Sequence, residues 1–129
     1  MKKILFSAIA CLLLSSTANA QECGTKTSQV PAVAEIAQFR LAENITDEQF
    51  LIAAKDTMTY LCSIDGFIRR NLSKDETGLW TDYVEWTDAK IAQSAAENAM
   101  KREDMMTFMT TIDPDSISMK YSDILPLSK

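Results

Sequence analysis

The sequence predicts an α+β domain of βαββαβ order, on three observations. Apolar residues recur at every second position over 33–41, 67–73, 79–86 and 117–122, the period of strands with one buried face. They recur at every third or fourth position over 47–61 and 88–101, the period of helices with one buried side. Only three Gly and three Pro interrupt 129 residues that are 47% hydrophobic, enough apolar material to close one core and too few breakers for a linker-dominated or low-complexity chain.

Each element has its own signal. Val33, Ala37, Phe39 and Leu41 share one face of the first strand, with Gln38 and Arg40 on the other. Thr46 and Gln49 form a capping box and Ile45 can staple to Phe50, so a helix should start at Asp47. Phe50, Ala54, Met58 and Leu61 are its inner stripe, and Asp65-Gly66 ends it, Gly supplying a left-handed C-cap. Phe67–Ser73 and Leu79–Trp86, joined by the polar turn Lys74–Gly78, read as a hairpin. Thr87 can cap a second helix from Asp88 to about Lys101, with Ala89, Ala92, Ala96, Ala99 and Met100 inward. Glu103–Thr111 reads as a short helix and Asp113-Pro114-Asp115-Ser116 as a turn. Ile117, Met119 and Tyr121 then alternate with Ser118, Lys120 and Ser122 as the last strand. This order is the ferredoxin-like plan: a four-stranded antiparallel sheet with helices on one face. Ile36, Phe67, Leu79 and Tyr83 are expected on the opposite face, for which a second copy of the sheet is the natural cover; a homodimer is expected.

Residues 1–20 read as a secretory signal peptide: Lys2 and Lys3, an apolar run from Ile4 to Leu14, then Ala18-Asn19-Ala20. The run is too short for a hydrocarbon core that needs about 20 apolar residues, so no membrane attachment is expected after cleavage, and the product is expected to be periplasmic or secreted. Residues 21–32 read as an N-terminal linker and 33–125 as the domain. Of 13 basic residues, the loss of Lys2 and Lys3 leaves 11 against 18 acidic ones. That acidic balance, with no basic stripe, argues against nucleic acid and anionic lipid as partners. Cleavage also removes Cys11. It leaves Cys23 and Cys62, and an exported pair suggests a disulfide that staples the N-terminal segment to the domain.

The sequence contains no His, which excludes Ser-His-Asp or Cys-His machinery and His-ligated zinc within the chain. The candidates for chemistry are carboxylates and aromatics. Glu35 shares the otherwise apolar face of the first strand, and Asp82 that of Trp80, Val84 and Trp86. In the ferredoxin-like order those strands are neighbours, so both carboxylates can border one space beneath the helices, where burial and a nearby like charge raise a carboxylate's pKa. Either is a candidate base. Arg70, on the same face, is a candidate substrate contact, and it can instead neutralise Asp82 in a structural pair. Phe39, Trp80 and Trp86 can stack a flat ligand or serve as core. Met100, Met105, Met106 and Met109 have a Cu(I) reading, but with no His or nearby Cys to complete a site, core packing is favoured. No metal and no cofactor are expected. The sequons Asn44-Ile45-Thr46 and Asn71-Leu72-Ser73 carry no weight in a chain with a bacterial-type signal.

The run Glu35-Ile36-Ala37-Gln38-Phe39-Arg40-Leu41, then Asp65-Gly66-Phe67 before a strand, then Trp80-Thr81-Asp82-Tyr83-Val84-Glu85-Trp86-Thr87 entering an Ala-rich helix, resembles the antibiotic biosynthesis monooxygenase-type domain. The resemblance spans about residues 33–122 and implies a dimeric α/β barrel. It also implies an activity class, since that superfamily includes cofactor-independent oxygenases of quinol-like aromatics as well as haem-degrading enzymes. The haem-degrading members place a helix His about ten residues after the strand-end Trp, where this chain has Ala96, so haem ligation of that kind is not expected. A small aromatic or apolar molecule is the expected partner, whether as substrate of a cofactor-free monooxygenase, as cargo of a non-catalytic carrier, or absent from a purely structural domain.

Overall fold

The computed structural model describes residues 21–23 and 29–128; the expected signal peptide, Cys11 and part of the linker lie outside them. The fold is ferredoxin-like α+β. In chain order the elements are β1 (Gln21–Glu22), β2 (Val33–Phe39), α1 (Asp47–Asp56), α2 (Met58–Ser63), β3 (Phe67–Lys74), β4 (Trp80–Trp86), α3 (Ala89–Ala99), α4 (Glu103–Thr110) and β5 (Ser118–Asp123), with a 3-10 turn at Pro114–Ser116 before β5. The antiparallel sheet runs β1-β3-β4-β2-β5. Its four long strands have the split βαβ arrangement, to which β1 adds a two-residue edge against Arg69 and Arg70.

The helix ends follow local chemistry. Thr46 caps α1: its hydroxyl accepts from the Gln49 N–H while the Gln49 side chain accepts from the Thr46 N–H. The stripe continues through Met58 and Leu61, but the expected single helix breaks at Thr57, whose buried hydroxyl donates to the Ala54 carbonyl at 2.6 Å and so competes with the backbone ladder. For α3 the cap is Asp88 and not Thr87: the Asp88 carboxylate accepts from the N–H groups of Lys90 and Ile91. Asp is the better cap because its charge also meets the positive helix end. The buried stripe of α3 is Ala92, Ala95 and Ala99, whereas Met100 is 55% exposed, one residue past the last turn.

A second departure changes which side of the sheet a residue occupies. The β3–β4 register shifts between Phe67 and Arg69, so an extra residue lies in β3 and Phe67 joins Arg70 on the helix side despite an odd spacing. Phe67 is fully buried, edge-on to Trp86 with ring centroids 5.6 Å apart; it is a core residue and not, as alternation predicted, part of the outer face. Ile36, Leu79 and Tyr83 are only half-buried. Gly66, just before the bulge, has φ +105°, and a Cβ there would lie 2.7 Å from Thr87 Oγ1. Glycine is required on both counts.

The core has two lobes between sheet and helices. One gathers Phe39, Phe50, Trp80, Phe108 and Ile112 under α1 and α4; the other gathers Met58, Leu61, Phe67, Val84 and Trp86 with the alanines of α3. Cys23 and Cys62 pack on the second lobe and are joined as a disulfide with Cα atoms 5.4 Å apart, closing 39 residues of sequence separation. The bond fastens the residue after edge strand β1 to helix α2. A loop of that size implies roughly 3 to 4 kcal/mol from restricting the unfolded chain. Guanidinium unfolding of the oxidised protein should therefore show a midpoint stability greater by about that amount than a Cys23→Ser/Cys62→Ser variant; equal stabilities would remove the disulfide from the account of this fold.

Candidate active site

The helix-facing side of the sheet is laid out in rows. Strand pairing puts Arg70, Val84, Glu35 and Tyr121 in one row and Leu72, Asp82, Ala37 and Met119 in the next. The two candidate carboxylates thus face the same layer, on paired strands and diagonal to one another.

Their surroundings differ. Arg70 meets Asp82 edge to edge: Arg70 Nε donates to Oδ1 at 2.9 Å and Nη2 to Oδ2 at 2.6 Å. Its Nη1 donates to the Ala54 carbonyl at 3.1 Å and to Thr57 Oγ1 at 2.9 Å, and the guanidinium lies 5.1 Å from the centroid of the Phe108 ring. Arg70 and Asp82 are both buried. A buried bidentate pair with its remaining donors used is a structural clamp. Asp82 is committed to Arg70, and Arg70 has its donors turned to Asp82 and to the end of α1.

Glu35 has no such partner. Its Oε2 is buried without a hydrogen bond, although the residue as a whole remains partly accessible. Its pKa is raised to about 7, first because burial strips water from the charged form and second because Asp82 adds negative charge nearby; a hydrogen bond from Tyr121 and the charge of Arg70 pull the other way. Tyr121, directly across the strand pair, is in turn pushed up to about 12, by burial first and then by the Glu35 charge. A carboxyl poised near neutrality can hold or release a proton at physiological pH, which suits a general base. Tyr121 was not singled out by sequence reasoning. Its place opposite position 35 follows from strand register, which alternation in a single strand does not reveal.

The aromatic candidates divide. Phe39 and Trp80 are closed into core: Phe50 stacks 5.5 Å from Phe39 and 4.6 Å from Trp80, with Phe108 5.6 Å beyond, and Lys74, paired with Asp47, covers the Trp80 ring from the far end. Trp86 is also buried, but its Nε1 has no hydrogen-bond partner. It lies on the helix-facing side one row from Glu35, opposite Val33. The layer therefore holds an unpaired acceptor and an unpaired donor on adjoining strands, each costly unless something completes it. A cleft of about 340 Å³ opens between α2 and α3, lined by Tyr60, Ile64, Ile91 and Ala95 among others; neither carboxylate nor either Trp lines it. Among the described residues no cluster of His, Cys, Asp or Glu suits a metal ion, and no helix is long and apolar enough to cross a membrane.

Solved structures with this fold include SnoaB, a cofactor-independent oxygenase from Streptomyces nogalater, at 12% identity and TM-score 0.55 over 78% of this chain and 97% of that one. A monooxygenase from the gene ActVA-Orf6 of Streptomyces coelicolor, in complex with Nanaomycin D, aligns at 14% identity and TM-score 0.54 over 74% and 93%. A dimeric ferredoxin-like protein from an uncultured marine organism aligns at 12% identity and TM-score 0.53 over 78% and 93%. At such identities the likeness establishes the fold. No family model and no curated protein sequence matches the chain.

The raised pKa fixes a sign for stability. The fold favours protonated Glu35, so this contribution is fully present below the ordinary value of 4.5 and is lost as pH rises through about 7. Relative to wild type, Glu35→Gln should gain on the order of 1 to 3 kcal/mol between pH 4 and pH 8. Urea unfolding at both pH values measures this, and parallel pH dependences for the two proteins would contradict it.

Proposed function

We propose that this chain is an exported, homodimeric antibiotic biosynthesis monooxygenase-type domain that oxygenates a small quinol-like aromatic without metal or flavin. The observation that carries the reading is the Glu35 carboxyl, buried, lacking a partner at Oε2 and set near pH 7 beneath the helices. Ionised Glu35 removes a proton from an acidic aromatic O–H or C–H. The electron-rich anion then transfers an electron to dioxygen, and recombination forms a peroxide at the ring carbon. At a CH₂ position, loss of water from that peroxide leaves a carbonyl, so one oxygen atom enters the product and the other leaves as water. Trp86 Nε1, the unpaired donor one row away, suits the substrate oxygen on which negative charge develops. The solved oxygenases of the same fold support this chemistry by analogy of architecture. Export is supported by the signal-like residues 1–20 and by the disulfide.

The second reading is a non-catalytic binding module, favoured by the Arg70–Asp82 clamp, which commits one of the two candidate carboxylates to a structural pair. Oxygen uptake over a hydroquinone panel separates the two. Wild type should consume oxygen at a rate rising with pH to a midpoint near 7, the direction required when the ionised carboxylate is the active form. Glu35→Gln should lose at least 100-fold, whereas uptake no faster than a heat-denatured control would reject the enzyme reading. The homodimer is expected to form through the outer sheet face of Ile36, Leu79 and Tyr83. Light scattering at micromolar concentration should give twice the chain mass, and a single-chain mass there would reject that assembly.

A further inference from the structure

The cleft of about 340 Å³ between α2 and α3 is as large as a small-ligand site, and its shape follows from side-chain sizes. Ala92, Ala95 and Ala99 let α3 sit close on its lobe of the core. On the flank that lines the cleft the middle positions are Ser94 and Ala95, too small to close the gap between the two helices. The walls are fixed. Tyr60 reaches from α2 to α3, its hydroxyl donating to the Ala95 carbonyl at 2.7 Å, and the Arg102 guanidinium lies 4.7 Å from the ring centroid. The ring is thereby held as a wall and does not swing into the space. Ile91 is seated against Gly66, where a Cβ would come within 2.9 Å of it, and Cys62 ties α2 to Cys23. A cavity whose walls are already ordered asks little further ordering of a ligand.

We propose that this cleft binds a medium-chain carboxylic acid as its anion, the alkyl chain lying along α3 over Ile91 and Ala95 and the carboxylate at Lys90. Three features select this occupant. Ile64, Ile91, Ala95 and the Tyr60 ring make most of the lining apolar, so most of the ligand is apolar. Lys90 is the one charged side chain of the lining, and among the described residues it makes no ion pair. Of the acidic residues next to the lining at this end, Asp88 accepts from the N–H groups of Lys90 and Ile91 and Asp65 from the Gln29 side chain. From Lys90 to Asn98 the helix rises about 12 Å, the reach of a medium-length alkyl chain. An anionic bilayer is a poor alternative source of the same chemistry, because acidic residues outnumber basic ones by 18 to 13. The cleft is lined from the helical side, away from the outer sheet face, so two sheets can pair without covering it.

The test titrates the full disulfide-bonded protein with decanoate, below its micelle concentration, and with decanol as the uncharged control, reading the ¹³C-methyl resonances of Ile64 and Ile91. Decanoate should shift both saturably. Lys90→Gln, a change at an exposed position, should weaken decanoate about fivefold and leave decanol unchanged, the size expected of one exposed charge pair. Ser94→Phe, which fills the middle of the cleft from an exposed helix position, should abolish the shifts by both probes without lowering the thermal midpoint. Glu35→Gln should leave decanoate binding as it is, because Glu35 does not line the cleft. Unmoved Ile64 and Ile91 resonances, or a Lys90→Gln variant that weakens both probes alike or neither, overturns the proposal. Two further outcomes assign the cleft to another occupant and overturn it as well. One is co-sedimentation of the protein with phosphatidylglycerol vesicles that Ser94→Phe prevents. The other is an assembly larger than a dimer by light scattering that the same variant breaks, which would make the occupant a second copy of the chain.

Discussion

The arrangement depends most on the clamp between Arg70 and Asp82. One guanidinium joins the hairpin β3–β4 to the end of α1, satisfying the Ala54 carbonyl and the Thr57 hydroxyl as well as both oxygens of Asp82. Removing one member of such a buried pair typically costs 3–5 kcal/mol, because the survivor is left charged and dry. The clamp also explains the break at Thr57. A helix that continued straight would keep the Ala54 carbonyl within its own ladder, whereas here that carbonyl accepts from both Thr57 Oγ1 and Arg70. The same contact seats Arg70 near Phe108, so α1, α4 and the hairpin share one joint.

That joint sets the electrostatics of the neighbouring row. Asp82 is close enough to raise the pKa of Glu35, and Arg70 is close enough to lower it, but the raising contribution is the larger of the two. Burial is the largest cause of the raised Glu35 pKa, and the ion pair, although neutral as a whole, adds a smaller residual negative bias to it. The Glu35 carboxyl is poised by its position beside a clamp and not by membership of it.

Element order and most of the core stripe were legible because each rests on short-range periodicity, and the strand order followed from that element order through the ferredoxin-like plan. The capping box at Thr46 was legible for the same reason, as both partners lie within four residues. What alternation could not show was any feature depending on two strands at once. The bulge beside Phe67 is created by how β3 meets β4, and it moves a large aromatic from the expected outer face into the core. Tyr121 became part of the site only when register set it against Glu35. Arg70 and Asp82 fall at alternating positions of their own strands, so their pairing was a stated alternative, but the tie to Ala54 and Thr57 is a tertiary contact with no local signature. Asp88 displaced Thr87 as a cap by one position, a shift that patterns of hydrophobicity do not resolve.

A protein that only needed to close this core would have little reason to keep Glu35. Position 35 pairs with Val84 on one side and Tyr121 on the other, a setting in which an aliphatic side chain would bury more apolar surface and leave no orphaned acceptor. The unpaired indole N–H of Trp86 in the adjoining row is a second cost of the same kind. Both lie on the lobe that the disulfide fastens and that the alanines of α3 approach closely. Covalent and close-packed reinforcement is therefore concentrated where unsatisfied polar groups weaken the fold. Unpaired polar groups held beside such reinforcement are the groups that the ligand of the proposed function would complete.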